Sequence, residues 1–488
     1  MTKRLVLLLA ATATMTALPA QAVTFVNALA VSNGTDLSTG LGIGVNGNRF
    51  GGFGSDLVKR GSDYFGMTDR GPGGGLLSYA PRIQVFSMAS DAATGSISNF
   101  NLTRTIVFRQ ADGVTPFNGL NPQLLTGSKA NLGASFDPEG MAIRPNGNFL
   151  VADEYGPSLY EFSPDGVLIR SFAPPVNLQP REAGGTLNYV DGRPTITSGR
   201  QDNRGYEGLT LSNDGSKAYA VLQDPLVQEG PGGQGRRGQF VRIVEYDLAS
   251  GATRQLAYQL EGIDTINART STDFTQNQQG RSIGVSAIHA LPDGRFMVIE
   301  RDNRGLGVDP ETAFLESGTK RVYVIDLAGA TDISNLIITN GVLPIGAVAV
   351  IKTNAPFLDV LASIGTQAVV AEKLEGLSFG DRLADGGISL LLASDNDFSV
   401  TQIDGSTQFD VCSNGTSLTN VALDTACPTG FATIPTYLYS FRLTAAEAQS
   451  LGFAPVPEPA SWAMMLAGFG LLGHVLRRRQ REWRVEQG

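Results

Sequence analysis

The chain has 488 residues, 42% of them hydrophobic and 59 of them glycine, with a net charge of −9 from 37 Lys and Arg against 46 Asp and Glu. That length supplies a large core, and the glycine content suits many short strands and turns. The acidic balance, with no basic domain, excludes an electrostatically driven nucleic-acid binder, and two histidines with two cysteines leave zinc poorly served.

In chain order, the first element is a secretory signal over residues 1–22. Lys3 and Arg4 precede the apolar run LVLLLAATATMTAL, and Ala20-Gln21-Ala22 forms a small-x-small cleavage site. The mature chain then begins at Val23, and VTFVNALAVS (Val23–Ser32) reads as a strand able to close a ring. Next comes a pattern of four strands that recurs five times. The first copy, from Phe53, carries SDLVK, a turn at Gly61-Ser62, YFGMTD, RIQVFSM and TRTIVFR.

The second copy, from Ser135, is the most regular. MAIRP and NFLVAD flank Asn146-Gly147, which predicts a type I′ hairpin turn. SLYEF and VLIRSF flank Pro164-Asp165-Gly166. The third runs from Glu207 through Asp214-Gly215, and the fourth from Ser286 through Asp293-Gly294. The fifth runs from Glu375 through Asp385-Gly386-Gly387 to TYLYSFRL. Glu139, Glu207 and Ser286 each stand eight residues before the turn glycine, whereas Glu375 stands eleven before Gly386, which predicts a longer fifth turn. Four antiparallel strands in sequence make one propeller blade. The predicted fold is therefore an all-β propeller over residues 23–450, with five visible blades and room for a sixth. The repeats exceed the ~40–50 residues of compact blades, and insertions at 110–136, 173–204, 224–240 and 261–281 account for the excess.

Cys412 and Cys427 are predicted to form a disulfide across the loop 405–432 in an oxidising compartment. AAEAQS (445–450) reads as one short helix. The C-terminal segment 455–480 holds Val456-Pro457-Glu458-Pro459, an apolar run of 17 residues (460–476) at the short limit of a membrane span, and Arg477-Arg478-Arg479. His474 within that run reads as tolerated near the interface rather than as a ligand.

A hairpin returns to the side from which it started, so residues before the first strand and at the end of the second share one rim. Glu139, Glu207 and Glu375 precede first strands. Asp69, Asp153, Glu154, Glu300 and Asp395 end second strands. Arg70, Arg204, Arg301, Arg304 and Lys373 lie beside them. Carboxylates so crowded repel unless neutralised, and Ca²⁺ is suited to six to eight oxygen ligands. Metal ligation is expected of Asp69, Asp153, Glu154 and Asp395, catalysis of Glu139, Glu207, Glu300 and Glu375, and substrate binding of the five basic residues. Metal-assisted hydrolysis of a phosphate ester uses both kinds of group. The bland alternative is that these acids cap turns and form structural salt bridges. A Ser-His-Asp triad would need His289, which lies inside strand AIHAL, and no G-x-S-x-G elbow precedes a helix.

The strings FDPEGMAIRPNGNFLVADEYGPSLYEFSPDG (136–166), NRGYEGLTLSNDG (203–215), IHALPDGRFMVIERDN (288–303) and KLEGLSFG with LLLASDND (373–397) resemble the phytase-like family, "esterase-like activity of phytase". The resemblance spans roughly residues 45–445. It implies a propeller, export, and hydrolysis of phosphoester or ester bonds. No histidine-acid phosphatase motif is present. The C-terminal order of Pro-Glu-Pro, span and basic tail resembles the PEP-CTERM sorting signal, implying exosortase-type machinery, a Gram-negative cell, and release or anchoring outside it. The rival reading is a non-catalytic extracellular propeller that binds polysaccharide or another surface ligand.

Overall fold

The computed structural model describes residues 23–124, 127–403 and 407–455. The expected signal peptide and the C-terminal span with its basic tail lie outside these residues. Among the described residues no helix is long and apolar enough to cross a membrane.

The chain is mostly β. The first sheet holds Asp56–Arg60, Asp63–Met67, Arg82–Ser90 and Ile97–Val107; the second holds Pro138–Ile143, Phe149–Asp153, Leu159–Phe162 and Leu168–Phe172. The third holds Tyr206–Leu211, Lys217–Leu222, Phe240–Asp247 and Thr253–Gln259. The fourth holds Ile283–Ala290, Phe296–Asp302 and Lys320–Asp326, edged by the short strands Ile351–Lys352 and Leu358–Asp359. The fifth holds Lys373–Arg382, Ile388–Asp395 and Thr436–Leu443, and its outer edge is the N-terminal strand Thr24–Val31. Val31 pairs with Thr436 and Phe25 with Phe441, so the expected ring-closing strand takes that place.

The first strands of the five sheets touch in cyclic order, the fifth returning to the first. The result is a propeller-like ring. Its core lies between the sheets, in separate apolar layers. Met67, Val85, Met141 and Val151 pack between the first and second sheets, Leu150, Ala152, Ala220 and Val244 between the second and third, and Ile299, Val322, Leu377 and Leu390 between the fourth and fifth. A sheet buried on both faces needs apolar residues at consecutive positions of its strands, which is why Leu390-Leu391-Leu392-Ala393 is unbroken.

The first hairpin of the second sheet differs from expectation. Asn146 is not in the left-handed region; Gly147 is, at φ 93°, and its N–H donates to Arg144 O at 2.9 Å. This is a three-residue loop ending in a left-handed glycine rather than a type I′ turn. Gly294 and Gly386 repeat it, and Gly215 is likewise left-handed in a loop one residue longer. The fifth turn is therefore no longer than the others. Its extra residues lie in the first strand, which has a second irregularity between Phe379 and Arg382. The loop between the second and third strands of the fifth sheet forms a small sheet of Val400–Ile403, Thr407–Ser413, Leu418–Ala422 and Ala432–Thr433, in which Cys412 and Cys427 are disulfide-bonded. Ala445–Ser450 is helical, capped by Thr444 and Glu447.

Candidate functional site: an acidic mouth at the centre of the ring

Four first strands share one local distortion. The register with the second strand slips between Pro138 and Gly140, Tyr206 and Gly208, Val285 and Ala287, and Leu374 and Gly376. Each slip is a bulge that leaves one residue unpaired. Those residues are Glu139, Glu207, Ser286 and Glu375. In the first sheet both Gly54 and Asp56 bridge to Met67, so Ser55 takes the equivalent place.

The glycine that follows each bulge glutamate has its own reason. A Cβ on Gly140 would stand 2.6 Å from the backbone carbon of Gly208, and one on Gly208 would stand 2.9 Å from Cα of Ala287. Neighbouring first strands approach too closely for a side chain. Asp56 occupies that slot in the first sheet, and its carboxylate accepts from Met141 N of the second sheet at 2.6 Å. Burial pushes its carboxyl up to about 7.

The second strands supply a matching set. The residues paired opposite these slots are Met67, Ala152, Val221, Ile299 and Ala393. Two positions further on stand Asp69, Glu154, Gln223, Arg301 and Asp395. Of these, the bulge residues Glu139, Glu207 and Glu375 and the strand-end residues Glu154, Gln223 and Arg301 line one mouth, a pocket of about 530 Å³ shared with Arg70, Arg204 and Lys373 among others.

Charges in the mouth are interlocked. Arg301 is paired with both Glu375 and Glu207, the latter at 3.2 Å, and Gln223 donates to Glu207. Arg204 pairs with Asp224 at 3.0 Å, Arg70 with Asp137 at 3.0 Å, and Lys373 with Asp395 at 3.1 Å and Asp397 at 2.6 Å. Glu154 lies 3.8 Å from Arg70 and 4.0 Å from Arg204. Acids still outweigh bases on one side. Asp69 belongs to two carboxylate triples, one with Asp395 and Asp397 and one with Asp137 and Glu139, whose oxygens lie within 4.8 Å of one another.

Burial is the largest cause that pushes the Asp69, Glu139 and Glu207 carboxyls well above the usual range, and neighbouring carboxylates add to it. Glu154 is pushed up to about 8 by burial and Asp137, against the pull of Arg204 and Arg70. Asp395 rises to about 7 through burial, opposed by Lys373. Such a cluster holds protons or takes a cation.

Three expected site residues lie elsewhere. Glu300 stands one position before the mouth-facing slot that Arg301 fills. It accepts from Tyr258, from Glu261 N at 2.9 Å and from Lys352 at 2.7 Å. Alternation along the strand turned it away. Arg304 stacks on Phe274 at 3.5 Å and donates to the carbonyls of Thr272 and Glu316. Asp153 is likewise one position early, and it caps a turn by accepting from the N–H groups of Asp137, Tyr155 and Gly156 at 3.0, 3.2 and 3.1 Å.

Asp137, Asp397, Ser55, Gln223 and Arg281 were not singled out in the sequence. Asp137 and Asp397 do stand beside recognised residues, in DPEG and SDND. Arg281 lines the pocket with no ion pair and no side-chain hydrogen bond among the described residues. Its guanidinium is pulled down to about 10, first by neighbouring Arg204 and then by burial.

A propeller-like ring with an acidic, arginine-studded mouth is the class that fold and site define. The chain belongs to the phytase-like family, described as "esterase-like activity of phytase", which matches residues 48–398. The PEP-CTERM protein-sorting motif matches residues 455–480. An uncharacterized secreted protein of Arthroderma benhamiae is 30% identical over 315 residues, covering 53% of this chain and 60% of that protein. The chain thus spans less than two thirds of that relative. The sorting motif places this protein among those exported from a Gram-negative cell through exosortase-type sorting. Among solved structures, a putative 6-phosphogluconolactonase from Bacteroides uniformis is 14% identical with a TM-score of 0.30, covering 84% of this chain and 98% of that one. A streptogramin B lyase is 8% identical with a TM-score of 0.27, covering 80% and 94%.

Proposed function

We propose that the ring is a five-bladed propeller and that the protein is an exported, cation-assisted hydrolase of phosphate esters, acting at the acidic mouth. Family membership supports a hydrolase-type function. The observation that carries the finer reading is Asp69, shared by two carboxylate triples a few ångströms from cationic side chains. The donors are all carboxylate oxygens, without imidazole or thiolate, which fits Ca²⁺ better than zinc. Asp69, Asp137, Glu139, Asp395 and Asp397 would hold it. A bound Ca²⁺ supplies positive charge that offsets the cluster and polarises a phosphoryl oxygen.

The chain's own residues do the rest. Arg281, whose Nη1 is buried without a hydrogen-bond partner, and Arg204 beside it receive the phosphoryl oxygens. Arg301 holds Glu207 and Glu375 in fixed positions across the mouth. Glu154, between Arg70 and Arg204, is placed to pass a proton to the leaving oxygen.

The test is phosphate release from a panel of phosphomonoesters, including phytate, and of alcohol from short acyl esters, with Ca²⁺ and with EDTA. Calcium-dependent turnover that Asp69→Asn and Glu139→Gln reduce at least about 100-fold is the expected result. One observation favours the non-catalytic reading: Arg70, Arg204, Arg301 and Lys373 are each already ion-paired. Saturable binding of an anionic polymer with no turnover of any ester would decide for it.

A further inference from the structure

The insertions that lengthen the repeats build a second feature. Segments 173–204, 224–240 and 261–281 meet beside the third sheet. Gly280 N donates to Arg236 O at 3.0 Å, and Gln201 Nε2 donates to the carbonyls of Pro225 and Gly280, both at 2.8 Å. Between them lies a cavity of about 670 Å³. Ile196 and Val227 give it an apolar floor, and Arg193, Arg236 and Arg237 give it a cationic wall.

These arginines are unlike the others. In a chain of net charge −9, Arg70, Arg204 and Arg301 of the mouth are locked to carboxylates, and Arg281 alone there is not. Arg193, Arg236 and Arg237 make no ion pair among the described residues, and Arg193 Nε is buried without a hydrogen-bond partner. Two acids lie close to Arg193 and both are engaged otherwise: Asp191, two residues before it, accepts from Asn188 at 2.7 Å, and Asp202 accepts from the backbone N–H of Arg193 at 3.0 Å and from Gln123 at 3.3 Å. Arg237 is aimed by a hydrogen bond from its Nε to Asn277 at 2.6 Å. Burial, then repulsion from Arg236, holds the Arg193 guanidinium below its usual range. Asp202 and Asp224 attract it more weakly than burial and Arg236 oppose it, and neither forms an ion pair with it among the described residues.

We propose that this cavity is an anion-binding site separate from the mouth, taking a small carboxylated or phosphorylated molecule through Arg193, Arg236 and Arg237. Its volume falls within the few hundred to about a thousand Å³ typical of small-molecule sites. Guanidinium forks match carboxylate and phosphate geometry in two-point contacts, and an apolar floor suits the carbon skeleton of such a ligand. The site does not depend on the mouth being hydrolytic.

Calorimetric titration of the mature protein at low ionic strength tests this, with inorganic phosphate and trigalacturonate as probes in separate arms. At least one probe is expected to bind, about 10-fold or more weakly in Arg193→Gln/Arg236→Gln. Binding should be unchanged in Asp69→Asn/Glu139→Gln. Phosphate alone binding would identify a phosphorylated ligand, and trigalacturonate binding a carboxylated one; either supports the site. Arg236→Gln alone, at an exposed position, leaves the fold intact and should still weaken binding several-fold. Failure of both probes, undiminished binding in the arginine variants, or loss only in the mouth variant would overturn the proposal.

Discussion

Arg301 stands between Glu207 and Glu375, all three buried, and is the one base in the set of strand-end residues. Removing one partner of a buried charge cluster is costly because the others stay desolvated and unpaired. Arg301→Leu is therefore expected to destabilise by about 3–5 kcal/mol in urea unfolding, and Glu375→Gln in the same chain should recover part of that. His289 carries a second prediction at this scale. It lies on the first strand of the fourth sheet with its ring 5.5 Å from that of Phe379, and burial pushes it down to about 4 from 6.5. A histidine with a lowered folded-state value is neutral when folded, while the unfolded chain takes up a proton below pH 6.5. Stability should be unaffected by this residue above pH 6.5 and fall as pH drops from 6.5 through 4, by up to about 3 kcal/mol. Melting curves across that window should flatten in His289→Gln; an unchanged slope would refute the assignment.

The Glu-Gly bulge is the element that both builds the ring and arms it. The bulge turns the glutamate toward the mouth, and the glycine lets the next first strand close in. Gly208→Ala would set a Cβ 2.9 Å from Cα of Ala287, backbone that has no room to yield. A loss of about 2 kcal/mol or more is expected from such overpacking, whereas Gly251→Ala, with no atom within 4 Å, should show only the strain of its φ of 75°. Comparing the two by denaturant midpoint separates close approach from backbone strain. The same element explains what was legible in the sequence. Strand order, five repeats, the closing strand, the disulfide and the bulge glutamates could be read because turn glycines and apolar runs mark them locally. The facing of second-strand ends could not. Side chains alternate along a strand, and a local reading of where a strand ends is good to no better than one residue, so Glu154 and Arg301, not Asp153 and Glu300, reach the mouth. Asp137 and Asp397 escaped notice because their partners are distant in sequence: Asp69 precedes Asp137 by a whole sheet and Asp397 by nearly the whole ring.

At the scale of the molecule, the two carboxylate triples draw on three sheets: Asp69 extends from the first, Asp137 and Glu139 belong to the second, and Asp395 and Asp397 lie at the end of a strand of the fifth. The fifth sheet is also where the ring is closed, by pairing of Thr24–Val31 with Thr436–Leu443. A cation in the mouth would therefore clamp the two interfaces on either side of the first sheet, and its binding energy would be coupled to ring closure. Binding only to the folded state stabilises by about 2.7 kcal/mol at a hundredfold excess over the dissociation constant. With the unfolding entropy of a domain this size, that corresponds to a rise of about 3 °C in melting temperature. Calcium should produce such a rise, EDTA should reverse it, and Asp69→Asn should abolish it. Deleting residues 23–31 should lower the melting temperature and, because the fifth sheet loses its edge, also weaken the calcium-induced rise. A truncated ring that melts lower yet gains the full rise would show that the mouth and the closure are independent.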